Sequence, residues 1–173
     1  MQQESAPQPT LGMGLAVWIG TIVAVAGFVA IGFFLHLVPL YAGFLLVWYW
    51  AVVEKGALRS MPATFVGAIC GIATAGLLQY ATVHWGPAGA VPVLLLIAAA
   101  LLVQIMNWLP IAINPPYMLF LTVATAPLLQ GKEDFGAVAL TLLVGCVYFC
   151  GLAYVIGRIA GGGGAPAVAT PRS

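Results

Sequence analysis

The chain has 173 residues, of which 63% are apolar and only 5% charged, and its net charge is +1. A soluble domain of this length could not keep such a surface hydrated, and a near-neutral balance gives nucleic acid nothing to bind. The expected class is an all-α polytopic membrane protein with the lipid bilayer as its solvent and no nucleic-acid partner.

The opening stretch MQQESAPQPT holds Glu4 and no lysine or arginine, so the apolar run after it lacks the basic flank of a secretory signal. That run also exceeds the ~15 residues of a signal's apolar region, and a retained membrane helix is expected. Residues 1–13 read as an N-terminal tail, 14–160 as a single membrane domain, and 161–173 (GGGGAPAVATPRS) as a flexible C-terminal tail.

Six apolar segments follow in order: Leu15 to Leu35, Pro39 to Val53, Ala63 to Thr82, Val91 to Leu109, Pro116 to Leu129 and Ala137 to Ile159. Crossing hydrocarbon takes about 20 residues, and the second and fifth segments fall short of that. Both short segments open on the pattern P-x-Y-x-x-F, with Pro39, Tyr41 and Phe44 in one and Pro115, Tyr117 and Phe120 in the other. A charged turn follows each, Glu54-Lys55 and Lys132-Glu133, and then a Val-Gly pair, Val66-Gly67 and Val144-Gly145. The expectation is two three-helix repeats, 14–83 and 90–160, and an odd number of spans per repeat inverts the second relative to the first.

With six spans, Lys55, Arg59, Arg158 and Arg172 fall on one side and Lys132 on the other. The positive-inside rule then places both termini in the cytoplasm, for a multi-pass protein of the inner (plasma) membrane. Trp18, Trp48, Trp50, Trp85 and Trp108 read as interfacial belt residues.

Cys70, Cys146 and Cys150 lie in apolar segments, where buried inert thiols are expected rather than disulfides or a metal site. The third segment carries small residues every fourth position, Ala63, Gly67, Gly71 and Ala75, and the first repeats this in Ala16, Gly20 and Ala24. Such stripes let helix backbones approach closely in lipid, and Gly67 and Gly71 are the expected packing positions.

Apart from Arg158 at the very end of the last, no Asp, Glu, Lys or Arg lies inside a segment. That argues against proton-coupled pumping, a charged selectivity ring or a conventional enzyme, so no catalytic residue, metal or cofactor is expected. The neutral polar residues remain: Gln104 and Asn107 on one face of the fourth helix, Thr122 and Thr125 on the fifth, and Asn114 before the double proline of INPPYMLF. Asn114 suits an N-cap and proline the first helical position, so a short helix is expected to start there after an irregular approach from Pro110. Tyr41, Gln104, Asn107, Asn114, Tyr117, Thr122 and Thr125 are the expected lining of a path for a small polar solute; the alternative is that they only hold helices together. His36 and His84 fall near the outer surface, where packing is expected rather than pH sensing.

The stretch YAGFLLVWYWAVVEKGALRSMPATFVGAICG, Tyr41 to Gly71, resembles the YcdZ-like bacterial inner-membrane proteins. The likeness lies in AGF after a proline-bearing turn, a glycine-containing turn beyond it, and a small-residue helix after that; length and helix count also fit. It implies a small inner-membrane protein and brings no substrate or catalytic residue with it. The function expected from the residues is a channel or facilitator for a small neutral or weakly polar solute, working as a homo-oligomer; the alternative is a non-transporting accessory or scaffold subunit.

Overall fold

A computed structural model of the chain describes residues 10–126 and 133–161, and all the regular structure among them is helical. In chain order the helices are α1 (Leu11–Phe34), α2 (Leu40–Val52), α3 (Met61–Ile105), α4 (Pro115–Ala124) and α5 (Phe135–Gly161), with a 3-10 turn at Leu58–Ser60 before α3. The end of the fifth expected segment, Lys132, Arg172 and both expected tails lie outside the described residues, apart from their innermost positions.

Three helices, α1, α3 and α5, are long and apolar enough to cross a membrane, where six spans were expected. Two features account for this, the first of them expected. Helices α2 and α4 have only 13 and 10 residues. The third and fourth expected helices are joined into one 45-residue element, α3, with no loop between them. The joint is Gly86 alone, at φ 65° and ψ −163°, a backbone conformation that only glycine adopts without strain. Pro87 follows it and, having no N–H, starts a fresh helical limb at no cost.

The two limbs of α3, 61–85 and 87–105, fold back on each other. Ala75 and Ala100 share one buried cluster with Tyr117, Leu121 and Ala124; straight helix would separate them by about 37 Å. Gly89 packs so closely on Ala81 that a methyl there would overlap the Ala81 carbonyl.

Helix ends follow one rule. At the ends of α1, α2 and the second limb of α3, a residue with positive φ reverses the chain: His36 (55°), Lys55 (52°) and Asn107 (53°). The next N–H returns to a carbonyl five residues back in Leu37 to Gly32 (2.8 Å) and Trp108 to Val103 (3.1 Å), and six back in Gly56 to Trp50 (3.0 Å). The five-residue return is the Schellman closure, and all three bonds satisfy carbonyls the helix leaves open. Trp50 is 5% exposed and donates Nε1–H to Ala57 O (2.8 Å), locking the turn after α2. It is therefore a core residue and not a belt residue, while Trp18, Trp48, Trp85 and Trp108 are exposed.

Glycine sets how the helices cross. Helix α4 lies along the first limb of α3, where a methyl on Gly71 would strike the Tyr117 carbonyl and one on Gly67 the Asn114 amide. Helix α5 lies along α2, where a methyl on Gly145 would stand 3.1 Å from the Gly43 Cα. Phe28 of α1 fills the space over Gly43 and packs edge-on against Phe44 at 5.2 Å. The central core joins α2, the first limb of α3, α4 and α5 through Ala42, Leu46, Ala68, Ile72, Phe120 and Leu142. The small stripe of α3 thus packs within the chain, whereas Gly20 of α1 faces open space.

Neighbouring ends define two poles. Ser60 and Thr64 at the start of α3 border the same cleft as Gln104 and Asn107 at its end. Trp50 and Ala51 of α2 share a groove with Ala16 and Val17 of α1 and Leu152 and Ile156 of α5. At the opposite pole, Gln79 Nε2 donates to Glu133 O (3.4 Å) and Gly76 contacts Phe135.

Candidate functional site

The polar cleft lies at the first pole, in the angle between the 3-10 turn, the two limbs of α3 and the start of α4. Its volume is about 400 Å³, within the range of small-molecule sites. Glu54, Ser60, Thr64, Gln104, Asn107 and Asn114 supply its polar wall, and Pro110, Pro115 and Pro116 its rim. Further along α3 and α4 from Thr64 and Asn114, Ala68 and Phe120 are 0% and 2% exposed and belong to the central core.

Asn114 is the keystone of this wall. Its Oδ1 accepts from Tyr117 N–H (3.1 Å), the N-cap bond that starts α4. Its Nδ2 donates across to Ala63 O (2.8 Å) and divides its other proton between Pro110 O (3.2 Å) and Ile111 O (3.3 Å). One side chain thereby caps α4, ties it to α3 and pins the irregular approach to the double proline. The absence of a Cβ at Gly67 leaves room for it.

The two hydroxyls are already committed as donors. Ser60 Oγ donates to Ala57 O (2.8 Å) and Thr64 Oγ1 to Ser60 O (3.1 Å). Gln104 Oε1 is buried and has no hydrogen-bond partner among the described residues. Glu54 is partly buried, and the Tyr49 hydroxyl faces its carboxylate.

The seven expected lining residues do not share one path. Gln104, Asn107 and Asn114 meet at the cleft. Asn107, expected on a helical face with Gln104, is instead the reversing residue beyond the end of α3. Tyr117 is buried at 3% exposure and donates its hydroxyl to Thr74 Oγ1 (3.3 Å), which donates to Cys70 O (2.9 Å). Thr122 is exposed, because the face of α4 carrying Tyr117, Phe120, Leu121 and Ala124 is the one turned inward. Thr125 follows α4 and returns its hydroxyl proton to Leu121 O (2.8 Å). Tyr41 belongs to the other pole: its buried hydroxyl has no hydrogen bond among the described residues and faces Glu133. Glu54, Ser60 and Thr64 are not among the expected lining residues, because each looks like ordinary turn or helix-start chemistry in the sequence.

His36 and His84 are both exposed; His36 is the reversing residue after α1, and His84 lies with Nδ1 2.9 Å from Tyr80 O, its ring stacked on Tyr80. The three cysteines are free and partly buried, and no cluster of metal-binding side chains occurs among the described residues. No family model, curated protein or solved structure matches the chain.

Proposed function

We propose that the chain is an integral membrane facilitator for a small neutral or weakly polar solute, with the polar cleft as the solute's way in. The single observation that carries this is the cleft itself: a polar pocket walled by irregular backbone in an otherwise apolar chain. In a bilayer, non-helical backbone persists where protein buries it or water wets it. The Pro110-to-Asn114 approach meets both conditions, with Asn114 on its buried side and the cleft on its open side.

Two inverted three-helix units, 14–83 and 90–160, fit this reading. Each short helix runs alongside the last helix of the other unit, α4 with the first limb of α3 and α2 with α5, and each crossing is made at glycine. The first helix of each unit, α1 or the second limb of α3, ends in the same Schellman closure. Binding at the junction of such units, near short or interrupted helices, is the pattern of many transporters. Six helical pieces then cross or enter the membrane, and the pole with Lys55, Arg59 and Arg158 faces the cytoplasm. A homo-oligomer accounts for the open face of α1 around Gly20.

The test is solute flux. Proteoliposomes holding the chain should swell faster than empty ones in urea, glycerol or a short amide. No swelling with any of them would favour the second reading, an accessory or scaffold subunit. A specific observation speaks for that alternative: Asn107, Asn114, Tyr117 and Thr125 all serve helix ends or helix contacts.

A further inference from the structure

We infer that the cleft selects solutes carrying N–H hydrogen-bond donors, amides or small ammonium ions, and rejects anions and solutes of equal polarity that lack donors. This rests on the facilitator reading and goes further in naming the chemistry of the solute. It follows from counting which protons of the wall are free. The single protons of Ser60 and Thr64 go to backbone carbonyls, leaving only oxygen lone pairs for a guest. Both amide protons of Asn114 are held by Ala63, Pro110 and Ile111. Pro110, Pro115 and Pro116 have no N–H to offer. Glu54 contributes a carboxylate, and no lysine or arginine lines the cleft.

Gln104 completes the imbalance. Its Oε1 is an unmet acceptor in the wall. The terminal amide torsion of glutamine is soft, so a half-turn presents that oxygen to the cleft. In that orientation the oxygen accepts from a guest N–H, and the amide nitrogen takes the buried place. Asn107 and the Gln104 amide nitrogen are the only side-chain donors left in the described lining. A guest with several N–H groups therefore meets more partners here than one with only acceptors.

The experiment measures binding and flux separately on the full chain. In lipid nanodiscs, binding is followed by ligand-observed NMR for acetamide, N,N-dimethylacetamide, methylammonium, tetramethylammonium and acetate. Each is far smaller than the 400 Å³ cleft, so size does not decide the outcome. Acetamide and methylammonium should bind; the two fully methylated solutes and acetate should bind at least about fivefold more weakly. Gln104→Met and Ser60→Ala, each verified as folded by wild-type elution and melting, should weaken acetamide binding by about fivefold. Glu54→Gln should weaken methylammonium binding by a larger factor than acetamide binding, because it removes the charge and keeps an acceptor oxygen, which separates the charged guest from the neutral one.

Equal binding of acetamide and dimethylacetamide, or wild-type acetamide affinity in both folded variants, would overturn the inference. Failure of the facilitator reading looks different. Donor-selective binding without liposome flux removes transport and leaves the donor selectivity standing; flux that ignores donors removes the selectivity and leaves transport.

Discussion

At the scale of single residues, Asn114 and the glycines around it make a test of how α4 is held. A methyl at Gly67 meets a side chain, the Asn114 amide, whereas a methyl at Gly71 meets backbone, the Tyr117 carbonyl and the Leu121 N–H. The two sites therefore differ in what can relieve them. Gly67→Ala and Gly71→Ala should each cost about 1–3 kcal/mol through overpacking. Adding Asn114→Ala should relieve Gly67→Ala, because the obstructing amide is gone, and should not relieve Gly71→Ala. Melting of the five single and double variants in detergent reads the two couplings; equal coupling at both sites would show that Asn114 does not occupy the Gly67 hollow. Asn114→Ala alone should cost about 2 kcal/mol or more, since it strips the N-cap from α4 and removes the tie to the Ala63 carbonyl of α3. Asn114 was legible in the sequence as a cap because asparagine directly before a double proline has few other roles. Its second bond, to Ala63, was not legible, because the partner lies 51 residues away and is a backbone atom.

At the scale of elements, α3 carries the largest departure from the sequence pattern. Glycine and proline in Gly86-Pro87 read as a loop, and hydropathy alone separates the segments on either side. What joins them is that glycine at positive φ followed by a residue with no N–H reverses a helix in a single step. Six apolar segments were legible because each is a run of composition; their joining was not, because it depends on one dihedral pair. Gly86→Ala should destabilise the fold by about 1–3 kcal/mol, from placing a Cβ in a glycine-only conformation, although no atom crowds the site. Gly20→Ala is the control, since Gly20 lies within α1, at ordinary helical φ, facing open space. It should be neutral or stabilising by about 0.5–1 kcal/mol. Comparison of the two melting temperatures decides the matter: a Gly86 variant as stable as the Gly20 variant would mean the reversal does not need glycine. The scatter of the polar residues has a similar origin. Asn107 and Thr125 match helical spacing in the sequence, yet one lies beyond the end of α3 and the other just past the end of α4.

At the scale of the whole molecule, the two poles make the orientation and the cleft a single question. The turn after α2, the start and finish of α3, the start of α1 and the last turns of α5 gather at the pole that holds Lys55, Arg59 and Arg158. Glu133 and the Gly86 reversal mark the other. If the basic pole faces the cytoplasm, a C-terminal reporter active only in the cytoplasm should work and one active only in the periplasm should stay silent. The cleft should then be reached by water from the cytoplasmic side alone, because the helices that carry Thr64 and Asn114 continue into the buried core of Ala68 and Phe120. Single cysteines at Ser60, Gln104, Tyr117, Thr122 and Val25, in a background with Cys70, Cys146 and Cys150 replaced, separate the surfaces. A membrane-impermeant thiol reagent needs a hydrated thiolate. It should label Ser60 and Gln104 positions in inside-out vesicles and not in intact spheroplasts. Tyr117 should stay unlabelled because it is buried against Thr74, and Val25 because, in this orientation, lipid would cover the exposed apolar face of α1. Thr122 discriminates between environments for the outer face of α4: silence means lipid or a second subunit covers it, and labelling means a second aqueous surface along that helix. Labelling of the Ser60 and Gln104 positions from the periplasmic side as readily as from the cytoplasmic side would contradict a cleft closed beneath by the apolar core. Water would then pass through the chain as an open pore, and the solute would be selected by diameter and not by the acceptors of one pocket.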